Sequence, residues 1–399
     1  ETARGTLDFM LREMQRPGED GAQGGGFYAS FDADSDGEEG SYYVWTPAEL
    51  RKVAGDGDGE ALARLLGVTE TGNFEGRSIL TRRSAPEQVA HSLGLERGAV
   101  EGLLHRWRCA LMEERDRRVA PGLDRKVVTA WNGLAMSAMA AGYLALGDHR
   151  YLEGAQRAAD FIWEVHHKDQ GGVLRSSNKG VATNEGVLSD YALLAQGLLD
   201  LYQASQDVQP LRRALELLDY ALAHFAHPEA GFYQTPDHHP APLGRRVEML
   251  DSVRPSANAA MARALILAGE LTGRPGYRKK AVAMINAFSP WIVRFGLEMA
   301  AWLDATSALL EPLYTVVVAG DPRAEQTEAL VDQVRDLMLP NVLLVTAPAE
   351  GLQGELAELL PPATGKKARG GEAAAYVCEH GSCQAPVGTA KELRALLGA

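Results

Sequence analysis

Three times the chain breaks a helical stretch with a Gly-rich turn that carries an aromatic or aliphatic residue: GGGFYAS at 24–30, GGVLRSS at 171–177 and AGFYQTP at 230–236. After each turn a cluster of polar residues precedes a new helix, a recurrence that predicts a closed ring of helical hairpins. The helices destined for the inside start about 60 to 67 residues apart, too far for the shorter solenoid repeats, which favours a toroid. In such a ring every inner helix begins on one rim. Unpaired backbone N–H groups and the positive ends of the helix dipoles gather there, so function is sought on that rim.

The helices separate by their charge pattern. Residues 129–146 (TAWNGLAMSAMAAGYLAL) carry no charged side chain, as expected of an inner helix covered on all sides, whereas 149–167 has one apolar and one wet face. The alternation repeats at 187–206 and 211–225, then at 256–272 and 276–289, and a helix at 297–310 closes the run. Residues 5–15 already read as the middle of an amphipathic helix, with Leu7, Met10, Leu11 and Met14 on one face, so the toroid looks incomplete at its N-terminus. Between 36 and 121 the pattern loosens. Thr46, Pro47 and Glu49 form a capping box ahead of a short helix, 72–80 reads as loop and short strand, and 97–118 as a long helix. After Leu310 a strand, helix, strand pattern (YTVVVAGDP, 324–338, NVLLVTAP) is followed by AAAYVCEHGS and a last helix. The expected division is a mainly α protein: a partial α/α toroid at 1–310 with a small α/β appendage at 311–399.

With 53 acidic and 40 basic residues the net charge is −13, which disfavours nucleic acid and anionic membranes and permits neutral or cationic small ligands. The chain shows no apolar run of bilayer length and no leader pattern, and its three cysteines are too few for a disulfide framework; these features read as soluble and cytoplasmic. No cofactor signature is present, since the GDP at 320–322 lacks the G-x-G-x-x-G spacing. No metal is expected either. Asp32, Asp34 and Asp36 begin like a calcium loop, but its twelfth position is Tyr43, and the segment reads as a rim loop held by Asx-type bonds. Cys378 and Cys383, with His380 between them, lack the second ligand pair of a zinc site and read as structural or incidental thiols, and His238 and His239 as solvent-facing.

Four polar groups precede or open inner helices: Asp32, Asp34 and Asp36; Asp124, Lys126, Trp131 and Asn132; Asn184, Glu185, Asp190 and Tyr191; and Arg245, Arg246, Asp251, Ser256 and Asn258. Carboxylates and amides converging with aromatic rings suit a sugar, whose ring stacks while its hydroxyls are hydrogen-bonded. Asp190 and Asp251 are the expected acid/base pair, with Trp131 as stacking platform and Arg246 as anchor for an anionic substituent. Asp32, Asp34, Asp124, Lys126, Asn132, Tyr191 and Asn258 are the expected binding residues. The competing reading is structural: Asp190, Ser256 and Asn132 fall where N-caps are expected, worth about 1 kcal/mol each, and Trp131 and Tyr191 suit a core. The absence of histidine from these groups favours a non-catalytic scaffold.

In order, GGGFYASFDADSDGEEGSYYVWTPAEL, GNFEGRSIL, LDRKVVTAWNGLAMSAMA, LSDYALLAQGLLDLYQAS, GFYQT, DSVRPSANAAMARALILA and YVCEHGSCQAPVGTAKEL resemble the spermatogenesis-associated protein 20-like family of large thioredoxin-domain-containing proteins. The resemblance covers nearly the whole chain. It implies a toroid similar to six-hairpin glycosidases and N-acylglucosamine 2-epimerases, preceded in the family by a thioredoxin-like domain that this sequence lacks and that would be its partner. The family's Asp-Ala-Asp-Ser falls on Asp32 to Ser35, Trp-Asn-Gly-Leu on Trp131 to Leu134, Asp-Tyr-Ala on Asp190 to Ala192, and Pro-Ser-x-Asn on Pro255 to Asn258. Where the family has Asp-Asp-Lys this chain has Asp124-Arg125-Lys126, which removes one carboxylate. Toroids host epimerases, hydrolases, lyases and binding proteins, so the resemblance implies no single reaction.

Overall fold

The computed structural model describes residues 1–18, 24–82, 85–94, 96–379 and 381–398. They form two compact units, Glu1–Ala29 with Arg125–Ala399, and Ser30–Asp124. The chain opens with α1 (Thr2–Phe9), which runs on as a π-helical turn (Met10–Met14), and then β1 (Tyr28–Phe31) leads into the second unit.

The second unit contains the hairpin of β2 (Asp34–Ser35) and β3 (Glu38–Glu39), then β4 (Val44–Trp45), α2 (Pro47–Ala54), α3 (Asp56–Leu66), β5 (Ser78–Ile79) paired to β4, α4 (Pro86–Leu93) and α5 (Arg97–Arg115). Its own core includes Trp45, Leu50, Leu62, Leu65, Val100 and Trp107. The capping box forms: Glu49 N–H donates to Thr46 Oγ1 at 3.3 Å, and Thr46 N–H donates to Glu49 Oε2 at 2.7 Å. The Asx-type bond of the acidic loop also forms, from Asp34 N–H to Asp32 Oδ1 at 3.2 Å. Arg118, at the end of the basic run, lies 4.1 Å over the Trp45 ring and donates to the carbonyls of Ser41, Tyr42 and Val44.

The first unit resumes with β6 (Leu123–Val128) and three helical hairpins. Inner α6 (Thr129–Leu146) is followed by outer α7 (His149–Val165); after the hairpin of β7 (Leu174–Asn178) and β8 (Val181–Glu185) come inner α8 (Leu188–Ser205) and outer α9 (Val208–His224). A long loop leads to inner α10 (Ala257–Thr272), outer α11 (Pro275–Phe295) and a fourth inner helix, α12 (Ala300–Leu310). Each inner helix packs on the next, α6 on α8, α8 on α10 and α10 on α12, which makes an arc of a mainly α, α/α toroid. The tightest crossing is α6 on α8. A Cβ on Gly133 would stand 2.2 Å from the Leu193 carbonyl oxygen, and one on Gly197 2.3 Å from the Gly133 oxygen, so the two backbones touch.

The C-terminal region is α/β as expected: β9 (Tyr314–Ala319), α13 (Glu325–Leu337), β10 (Val342–Ala347), α14 (Gly354–Leu359), β11 (Ala374–Glu379), β12 (Ser382–Cys383) and α15 (Ala390–Leu396), with sheet order β10-β9-β11-β12. Its relation to the helices differs from the expected boundary at 310. Val317, Leu343 and Val345 share one core with Leu201 and Tyr202 of α8. Gln203 on α8 also works as a surrogate strand, accepting Leu344 N–H at 2.7 Å and donating to its carbonyl at 3.3 Å, and Gln206 accepts Thr346 N–H at 3.0 Å. The sheet is fused to the toroid, and the separable piece is instead Ser30–Asp124. Cys378 and Cys383, read from sequence as structural or incidental thiols, face each other across β11 and β12 and form a disulfide. His380 lies outside the described residues.

Candidate functional site

The Gly-rich turns that announced the fold are each held by a first-turn residue of the next inner helix. Asn132 accepts Phe27 N–H at 2.7 Å and donates from Nδ2 to the Phe27 and Val128 carbonyls, both at 3.0 Å. Asn258 does the same one hairpin pair later, accepting Phe232 N–H at 2.8 Å and donating to the carbonyls of Phe232 at 3.1 Å and Glu248 at 2.9 Å. Between them, the Tyr191 hydroxyl accepts Val173 N–H at 3.0 Å while its ring stacks on Tyr220. All three side chains are buried. Expected as ligand contacts, Asn132, Tyr191 and Asn258 are corrected to internal clamps: a buried turn needs its backbone polar groups satisfied, and these residues do it.

The expected acid/base pair is also engaged with backbone. Asp190 is fully buried; Oδ1 accepts Ala130 N–H at 3.1 Å, and Oδ2 accepts Val187 N–H at 3.0 Å and Arg175 Nη1 at 3.2 Å. Burial raises its pKa against those bonds and the Arg175 charge. Asp251 accepts Ser256 N–H at 2.8 Å on Oδ1 and Ala301 N–H at 2.8 Å on Oδ2, so one carboxylate serves the N-terminal ends of α10 and α12. Ser256 caps α10 through Ala259 N–H. Of the remaining expected residues, Asp32, Asp34 and Asp124 belong to the second unit, Lys126 is exposed on β6, and Trp131 is 42% exposed in the first turn of α6. Arg246 is exposed. Its neighbour Arg245 is the anchored one, donating to the carbonyls of Thr235 and His224.

The rim nevertheless holds a hollow. A cavity of about 430 Å³ opens where α10 and α12 begin and descends between the inner helices, lined by Gln196, Asp251, Arg254, Arg263, Leu297 and Asp304 among others. A second space of about 250 Å³, lined by Arg175, Ser189, Gln234 and Glu248, shares Ser252, Arg254 and Pro255 with it. Nη1 of Arg254 and Nη1 of Arg263 are buried without a hydrogen-bond partner among the described residues. Arg263 Nε lies 2.7 Å from Asp304 Oδ2. Asp200 interacts electrostatically with both Arg263 and Asp304. Burial raises its pKa, Asp304 adds to the rise, and the Arg263 charge and the Ser137 hydroxyl oppose it. Asp200 is thus a buried carboxyl held towards its protonated form near the Arg263–Asp304 pair.

Sequence reading missed Gln196, Asp200, Arg263 and Asp304 although the signal was there. Asp200, Arg263 and Asp304 are lone charges in mid-helix, within the otherwise uncharged LLAQGLLDLYQ, AAMARALILA and AAWLDATSALL. It also missed His166, which is fully buried with Nδ1 2.7 Å from Thr129 Oγ1 and Nε2 2.8 Å from Ser177 Oγ; Thr129 in turn donates to the Leu174 carbonyl. Burial pulls the His166 pKa down from 6.5 to about 4. Because the folded chain then binds fewer protons than the unfolded one, this residue's contribution is complete above about pH 6.5 and is lost as pH falls towards about 4, by up to roughly 3 kcal/mol. Urea titrations across that window should show the midpoint dropping with pH in the parent and a shallower drop in His166→Gln.

No family model matches the chain. Spermatogenesis-associated protein 20 of Homo sapiens is 31% identical over 439 aligned positions, covering 100% of this chain and 54% of that protein, and the Mus musculus protein of the same name matches over the same extent. Among solved structures, the cellobiose 2-epimerase of Bacillus thermoamylovorans B4167 aligns over 72% of each chain at 12% identity with a TM-score of 0.36, and the unsaturated glucuronyl hydrolase of Bacillus sp. GL1 over 47% of this chain and 59% of its own at 15% identity with a TM-score of 0.38. Neither likeness is strong enough to transfer chemistry. The sequence match does run along the whole chain: it is similar throughout to spermatogenesis-associated protein 20 and spans about half the length of the curated relatives it matches.

Proposed function

We propose that the hollow at the rim binds a sugar or related polyol bearing an anionic substituent, and that Asp304 in its wall and the buried Asp200, both coupled to Arg263, act on it as acid and base. The observation that carries this reading is that Nη1 of Arg254 and Nη1 of Arg263 are buried without a hydrogen-bond partner among the described residues, the latter near a carboxyl of raised pKa. A buried N–H left unpaired costs about 1–3 kcal/mol, and a carboxylate or phosphate in the cavity would recover that cost through charge-assisted bonds. Gln196 and Asp251 supply further polar contacts for hydroxyls. The catalytic assignment thereby moves inward from Asp190, while Asp251 remains in the wall.

Thermal shift with glucuronate, glucose 6-phosphate and glucose tests the reading. An anionic sugar at 100 times its Kd should add about 2.7 kcal/mol of stability, glucose much less, and Arg263→Met should abolish the difference. Asp200→Asn should keep binding and lose turnover. If no sugar in a wide panel shifts the melting curve, the toroid is better read as a non-catalytic scaffold.

A further inference from the structure

A second, independent site lies where α9 ends. His224, the last residue of that helix, and Asp237 and His238 in the following loop place one ligand atom each within 4.8 Å of one another. Nδ1 of His224 is 3.1 Å, and Nδ1 of His238 3.2 Å, from the same oxygen, Asp237 Oδ1. The outer nitrogen of His238, Nε2, is 2.9 Å from Glu185 Oε1 at the end of β8. Asp237 N–H donates to the His224 carbonyl at 2.9 Å, so helix end and loop are tied together, and Arg245 Nη2 fixes the same carbonyl at 2.7 Å.

We infer that His224, Asp237 and His238 form a binding site for a divalent transition metal of the zinc class. Three donors around an ion at roughly 2.0–2.2 Å in tetrahedral geometry are separated by about 3.3 Å, and the two nitrogen-to-oxygen distances here already match that edge. Two imidazoles with one carboxylate select borderline ions such as zinc, cobalt or nickel over calcium and magnesium, which take oxygen donors. Glu185 stands where a supporting carboxylate stands behind a metal-bound histidine: it accepts a hydrogen bond from Nε2–H, so that an ion binding in place of the proton shared by His238 Nδ1 and Asp237 would meet the Nδ1 lone pair. The triad leaves a fourth position for water or a ligand group. His238 faces solvent as expected from sequence while bonding to Glu185 and Asp237, and the ring of His239 meets the Pro240 carbonyl.

Isothermal titration of the chain with zinc, alongside calcium, and the visible spectrum of the cobalt adduct test the inference. Because Cys109 Sγ lies 3.9 Å from His105 Nε2 on α5, the titrations are made in a Cys109→Ser background that removes this rival thiol. The expected result is one zinc per chain, no calcium binding, at least a hundredfold loss of affinity in His224→Ala with His238→Ala, and a tenfold to hundredfold loss in Glu185→Gln. An absence of stoichiometric zinc binding, or an affinity unchanged in the double histidine variant, overturns it. Since all four side chains are at least partly exposed, circular dichroism should show every variant folded.

Discussion

Asp190→Ala should cost the chain about 3–5 kcal/mol, the largest single-residue loss expected in the helical unit. The substitution removes the acceptor of two backbone N–H groups, at Ala130 and Val187, and deprives Arg175 of its buried counter-charge. Each amide orphaned in that interior loses its partner without regaining water, and the two belong to different inner helices, so both helix starts loosen together. Asp190→Asn separates charge from hydrogen bonding. The amide retains one acceptor oxygen but turns its NH2 towards a donor, and should recover less than half of the loss. Urea unfolding of the three proteins at neutral pH measures this; a loss under 1 kcal/mol for the alanine variant would show that the carboxylate is not a structural keystone.

Gly133→Val should be comparably damaging for a different reason. The new Cβ would sit 2.2 Å from the Leu193 oxygen, and the obstacle is backbone, which cannot swing aside like a side chain. The helices α6 and α8 must separate, at a cost of about 3 kcal/mol or more, since overpacking costs typically 1–3 and here the whole crossing moves. Gly98 offers the contrast. It lies in α5, nothing stands within 4 Å of where its Cβ would be, and Gly98→Ala should be neutral or stabilising by up to about 1 kcal/mol. Thermal melts of both variants check opposite signs from the same kind of residue.

The helices were legible because burial writes itself into composition. An uncharged stretch such as 129–146 can only be an inner helix, and the observed α6 spans Thr129–Leu146. What polarity at the rim is for was not legible. An asparagine in the first turn looks the same whether its partner is a hydroxyl of a ligand or the backbone of a turn, and Asn132 finds that turn 105 residues away in sequence. The fusion of the C-terminal sheet was hidden for the same reason, since it depends on Gln203 pairing with Leu344 across 141 positions. Asp200 and Arg263 were readable in principle, whereas Asp304 is exposed on α12. A charge in the middle of a helix otherwise covered on every side must either be neutralised or serve a cavity, and attention to helix ends passed over it.

The insertion of Ser30–Asp124 between the first Gly-rich turn and α6 has a practical corollary. The segment has its own core, and close to its two ends Asp32 N–H donates to the Gly122 carbonyl at 2.7 Å, so the strands that leave and return run side by side. A module anchored through adjacent ends behaves like a cassette: it can be cut out and bridged by a tight turn of about two to four residues, or grafted onto another host, without rethreading the polypeptide.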